Sequence, residues 1–220
     1  VTGTILIPLR GAIRKSSAPL ALWGSAYFSL IGIGFMLAEI SILQYFSVYL
    51  GHPTYSLAVC LFSLILATGI GSLASGRFEI RTPVAMMAWG LLAGGYLMAA
   101  QHSLTGIFEI TAAYDLPMRI SVSLLVVMPL GFILGFAFPT GIRMVGAVDS
   151  GPTPWFWGIN GATGVLASVL AIIISMSFGI NVTMLVSAIC YLALIPVAIA
   201  LMRLGGRGAE MAGASHSDAV

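Results

Sequence analysis

Charge is what this chain has least of. Aspartate, glutamate, lysine and arginine make up 7% of its 220 residues, against about a quarter in a soluble globular domain. A chain so poor in charge has too little polar side chain to cover a water-facing surface, which excludes an ordinary soluble fold. The formal net charge is only +2 and no basic run exists, so nucleic acid is excluded as a partner. Cysteine is also scarce. Cys60 and Cys190 both fall in apolar runs, without a CxxC or Cys/His spacing, so a zinc site has nothing to build on. They read as two small buried hydrophobes. The histidines are only three, His52, His102 and His216, and no serine or cysteine stands near them in a recognisable catalytic order. Glu39 with Glu109 or Asp115 is conceivable as an acid pair, but nothing in the spacing fixes their separation. No catalytic residue, metal or cofactor is implied.

What the chain does have is hydrocarbon. Apolar residues are 59% of the sequence, and mean hydropathy is +1.06. Apolar stretches of about twenty residues recur along nearly its whole length, enough to cross a hydrocarbon core of about 30 Å. The fold class expected is therefore all-α, a polytopic transmembrane helix bundle. Six complete spans read at 21–50, 54–75, 84–104, 117–138, 155–178 and 181–202. The first residues, VTGTILIPLR, begin at Val1 and look like the last turns of a seventh span, which suggests a piece of a longer polypeptide. No secretory signal pattern precedes the first full span, because Arg10, Arg14 and Lys15 follow that remnant directly. The transmembrane domain is expected over 1–204, with residues 205–220, rich in Gly, Ala and Ser, a disordered cytoplasmic tail.

Several details refine the bundle. The connections at 50–54 and 178–181 are tight, so they should join antiparallel neighbours. Arg10, Arg14, Lys15, Arg77, Arg81, Arg143, Arg203 and Arg207 fall on one side of the expected topology, and only Arg119 on the other. The positive-inside rule then puts both ends in the cytoplasm. The outward connection TGIFEITAAYDL, residues 105–116, has the spaced apolar residues of a short interfacial helix. Gly90-xxx-Gly94, Gly131-xxx-Gly135, Ser72-xxx-Gly76 and Gly164-xxx-Ser168 set small residues one turn apart, the stripe that lets helices approach in lipid. Pro129, within the fourth span, predicts a kink. No internal repeat emerges, which weakens an inverted-repeat transporter. Gly69-Ile-Gly71-Ser-Leu-Ala74 matches a dinucleotide fingerprint by letter only; it closes a membrane span, and its glycines read as packing residues.

Candidate functional residues are the polar ones that the membrane makes expensive. Glu39 lies roughly 14 Å inside its helix at 1.5 Å per residue, where a carboxylate must be paired, hydrated or protonated. Helical spacing puts Gly32, Met36 and Leu43 on its face. Gln44 is turned onto another strip with Ser41 and Ser47, so the two are not one site. Ser63, Ser168 and Arg119 are the candidate partners of Glu39. One reading makes Glu39 a registry acid bonded to hydroxyls; the other gives it a proton or substrate role. His52-Pro53 stands at an outward turn. Trp155 and Trp157 are interface anchors. Asn160 and Arg143 are either helix glue or a shared polar cavity for an anion or headgroup.

Four segments in order, YFSLIGIGFMLAEISILQYFSVYLGHPTYSLAV, GIGSLASGR, GFAFPTGIR and PWFWGINGATGVLAS, resemble the C-terminal membrane region of bacterial spermidine-synthase-like integral membrane proteins. The resemblance covers about residues 25 to 202. Its signature positions are Glu39, Gln44, His52, Pro53, Tyr55, Gly71, Arg77, Pro139, Gly141, Arg143, Trp157, Asn160 and Gly161. In that family a polyamine-synthase-like Rossmann domain is fused to the membrane spans, and the aminopropyl-transfer chemistry belongs to that soluble half. No glycine-rich loop after a strand and no acidic pair for an amine appear here. The resemblance therefore implies a non-catalytic domain in a bacterial inner membrane, an anchor or accessory subunit whose partners are lipid and other membrane chains or a soluble domain. A transport or lipid-handling bundle using Glu39 is the alternative. A membrane enzyme completed by a missing domain is the third.

Overall fold

Glycine and proline punctuate the apolar chain, and the helices follow that punctuation. A computed structural model describes residues 18–217, with side chains described to residue 206. The expected remnant span and Arg10, Arg14 and Lys15 lie outside these residues, as does the side chain of Arg207. The helices are α1 (Ala18–Tyr49), α2 (Pro53–Ala74), α3 (Pro83–Thr111), α4 (Leu116–Leu134), α5 (Ala137–Gly146), α6 (Thr153–Phe178) and α7 (Ile180–Ser217). Six spans are long and apolar enough to cross a membrane, α4 and α5 together making one of them. Among the described residues there is no strand. The protein is an all-α membrane bundle.

Both tight connections turn on glycine. Gly51 and Gly179 hold φ of 80° and 93°, a left-handed backbone that other residues adopt at a cost. After Gly51, His52 takes the N-cap of α2: its Nδ1 accepts from the Thr54 N–H at 3.2 Å, and Pro53 follows at the first helical position. The helix widens briefly into a π-turn at Leu57–Leu61 before resuming.

One expectation is corrected. The 105–116 connection is not a separate interfacial helix, because α3 continues unbroken to Thr111 and only a short turn precedes α4. Propagating an existing helix by two turns costs less than nucleating a new one. The fourth span is interrupted at Gly135-Phe136, while α4 runs through Pro129 without a break. Pro139 accounts for the position. It lacks the N–H that would bond to the Gly135 carbonyl, and its ring crowds that carbonyl. Helix α7 runs to Ser217. Ala, Met and Glu in GRGAEMAGASHS are helix formers that extend a nucleus already built by the span.

Helix α1 is the spine. It packs along α6 on one side and α7 on another; α3 packs on α7, and α2 on α4. Small residues make the close contacts. A Cβ on Gly71 would overlap the Phe132 carbonyl, and one on Gly135 would overlap that of Thr68, while Gly131 sits against Leu64 O. Gly90 and Gly94 seat Ile195 and Leu192 of α7. Two of the four expected stripes are thus helix contacts. Gly164 packs against Gly32 of α1 and, with Ser72 and Ser168, also borders a cavity, and Gly76 lies in the turn after α2.

Substituting a methyl group separates these roles. Gly71→Ala is expected to destabilise the bundle by about 1–3 kcal/mol, because backbone and not a flexible side chain must move. Gly95→Ala, where nothing lies within 4 Å, should be neutral or slightly stabilising. Thermal unfolding in detergent micelles checks the pair; equal effects would refute the contact assignment.

Candidate functional site

Helices α2 and α6 both flank α1 without forming an interface with each other. Between them runs a seam along α1, and the seam holds two cavities. The inner one, about 590 Å³, meets Gly32 and Met36 of α1, Thr68 and Ser72 of α2, Pro139 of α5 and Asn160 of α6. The second, about 510 Å³, lies further along α1 at Leu43, Gln44 and Ser47, with Ser56 of α2 and Ile172 of α6. The walls are mainly apolar with scattered hydroxyls, which suits hydrocarbon or another helix.

Glu39 falls between the two cavities along α1. Gly32 and Met36 on its face border one and Leu43 the other, and Glu39 itself is half-buried. It borders neither cavity and forms no hydrogen bond or ion pair among the described residues. The three candidate partners are engaged elsewhere. Ser63 donates to Val59 O at 2.6 Å and Ser168 to Val165 O at 2.8 Å, the back-bonding of a helical serine to its own turn. Arg119 donates to Tyr49 O, Tyr114 O and Ala112 O. Gln44 borders the second cavity, and its Oε1 is buried without a partner.

His52 is exposed and works as the N-cap of α2. Arg119 is a staple. Its guanidinium gathers carbonyls from the end of α1 and from the α3–α4 turn, and lies 5.9 Å from the Tyr49 ring centroid. These carbonyls are the orphan acceptors that every helix end leaves. Of the acids, Asp115 caps α4 by accepting from Met118 N–H at 3.4 Å, and Glu109 is exposed.

The shared Asn160–Arg143 cavity is not formed. Asn160 Nδ2 donates to Phe28 O at 3.0 Å and borders the inner seam cavity. Arg143 borders a separate cavity of about 440 Å³ with Glu79, Arg81 and Leu201. The residues lie on different helices and Phe138-Pro139 carries α5 past the seam, so their side chains diverge. Trp155 Nε1 donates to Ser25 Oγ at 2.8 Å and ties α6 to α1, whereas Trp157 is 59% exposed. In the loop before α3, Arg81 bonds Glu79 and holds its carboxyl below the usual carboxylate range; the positive charges of Arg81 and Arg143 act in the same direction.

Sequence reasoning missed Thr68 and Ser72 as cavity-lining residues. Their signal was present in the small residues around Gly69-Ile-Gly71, but spacing alone does not tell a contact stripe from a cavity wall. Comparison with protein-family models, curated proteins and solved structures returned no match.

For Arg119, replacement by Met is expected to destabilise by about 2 kcal/mol, since a charged donor leaves several carbonyls unpartnered. Arg119→Lys should recover less than half of that, because one ammonium does not span the fork of acceptors. Denaturant unfolding in micelles measures both; full rescue by Lys would show that charge alone matters.

Proposed function

We propose that this chain is the non-catalytic integral membrane domain of a spermidine-synthase-like protein, serving as a membrane anchor or as an accessory subunit of a larger membrane complex. Its setting in this reading is a bacterial inner membrane, with the arginine-rich end in the cytoplasm. The observation that carries it is the unfilled glycine face of the seam. Gly69 of α2 and Gly161 of α6 are exposed, have nothing within 4 Å, and line the same seam cavity from its two sides. In lipid such an open small-residue groove is where a helix of another chain packs most closely. The neighbouring helices fit the same role: within their most apolar stretches, only 17% of residues in α6 and 28% in α2 are buried inside the bundle, against 50% for α1.

A second reading rests on a different observation. Glu39 lies midway along a seam with cavities on either side of it, as a lipid-handling or transport bundle would require of an acid that changes its protonation state.

The two readings part experimentally. If the seam holds a partner helix, complexes extracted from native membranes in mild detergent should exceed the size of the chain alone. Gly161→Trp should reduce them to that size, and Glu39→Gln should not. A chain that migrates alone, unaffected by Gly161→Trp, would remove the subunit reading. In proteoliposomes, loss of lipid or solute transfer in Glu39→Gln with the bundle intact would favour the second reading; unchanged transfer would eliminate it.

A further inference from the structure

The cavity beside Arg143 is the second feature of the molecule that calls for a ligand. Arg143 is half-buried where the apolar spans end, at the meeting of the α2–α3 loop, α5 and the end of the α7 span. Its guanidinium touches only dipoles: Nη1 donates to Ser75 Oγ at 3.4 Å and Nη2 to Thr140 Oγ1 at 3.3 Å. Both hydroxyl residues are almost fully buried, so the arginine is held in place by the core. The only ion pair among the described residues joins Arg81 to Glu79. Two guanidinium groups thus face one carboxylate across the cavity, and that carboxylate is already engaged. Among the described residues one positive charge is left unmatched at the edge of the hydrocarbon, where an uncompensated charge is expensive.

The rest of the cavity is apolar. Met144 and Leu201, both buried, form part of its wall, and Gly205 keeps room beside them. A cation at the rim of an apolar recess matches a ligand that is anionic at one end and hydrocarbon at the other. We propose that this cavity is a binding site for the phosphate group of an anionic phospholipid, with Arg143 as the principal contact and Arg81 as the second. The phosphate oxygens accept from the guanidinium N–H groups, the charge-assisted geometry in which arginine is strongest. The upper acyl chain then lies along Met144 and Leu201. This site is independent of the seam between α2 and α6, and the seam's occupant does not affect it.

Native mass spectrometry of the purified protein, released from neutral detergent with defined lipids, reads the binding. Phosphatidylglycerol should bind about fivefold tighter than phosphatidylcholine, the scale set by one arginine near a membrane surface. Arg143→Gln should abolish that preference, and Arg143→Lys should keep part of it. Ala147→Trp fills the cavity while leaving both cations in place, and it should abolish the preference too, so the test survives if Arg143→Gln does not fold. Arg203→Gln, an exposed arginine outside the cavity, should change nothing. Equal binding of the two lipids by the wild-type protein would overturn the proposal, as would a preference that persists in Ala147→Trp. If millimolar inorganic phosphate displaces phosphatidylglycerol and raises the melting temperature on its own, the ligand is a free anion and the lipid assignment falls.

Discussion

Backbone touching backbone at glycine is the contact on which the arrangement of this bundle depends. In hydrocarbon, one apolar side chain gains little by leaving lipid for another, so helices associate through close fit and through polar groups that have no other partner. Here α2 and α4 meet where Gly71 and Gly135 each leave room for a carbonyl of the facing helix. Gly32 does the same between α1 and α6, lying against Asn160 O. Those three contacts set α2 against α4 and α6 against α1, while α2 meets α1 through its first turns. The seam between α2 and α6 is the space left over.

The hydroxyl and indole bonds then work on a frame already close-packed. Ser187 donates to Gly34 O at 2.6 Å, Tyr27 to Ala137 O at 2.9 Å and Trp89 to Ile133 O at 2.9 Å. Each reaches a carbonyl on a different helix, and two of these carbonyls lie within two residues of the break that Pro139 imposes. A helix interrupted in lipid must have its freed acceptors satisfied by neighbours. Trp89 holds the α4 side of the break to α3, and Tyr27 holds the α5 side to α1. The aromatic group of Phe28, Phe138 and Phe156, with ring centroids 5.4 Å apart in each pair formed with Phe28, packs the same region from the α1 side.

How legible this was in the sequence divides along physical lines. Span number and class follow from hydropathy, because a membrane selects for uniform apolar length and nothing else produces it. The two glycine turns were legible as tight connections for the same reason: little polar sequence separates the spans. The extent of α3 and α7 was not, since helix ends outside the hydrocarbon are decided by weak local propensity. The interruption of the fourth span before Pro139 was not foreseen from the sequence. For the candidate residues the limit was tertiary. His52 reads as functional in a line of letters and is a helix cap in space; Arg119 reads as a partner for Glu39 and is a staple between helix ends.

Glu39 shows what that limit means for function. Ser63 and Ser168 were reasonable partners by depth, but a serine in an apolar helix has a nearer acceptor in its own preceding turn, and both take it. The acid is left on the seam face, with a cavity towards each end of α1. Arg143, by contrast, sits where hydrocarbon gives way to water and has buried hydroxyls to hold it. A registry role would pair Glu39 inside the bundle, whereas an acid facing an open seam depends for its charge state on what enters that seam. The α1 turn that carries Glu39 separates the two cavities, so a helix occupying the whole proposed groove would have to pass it.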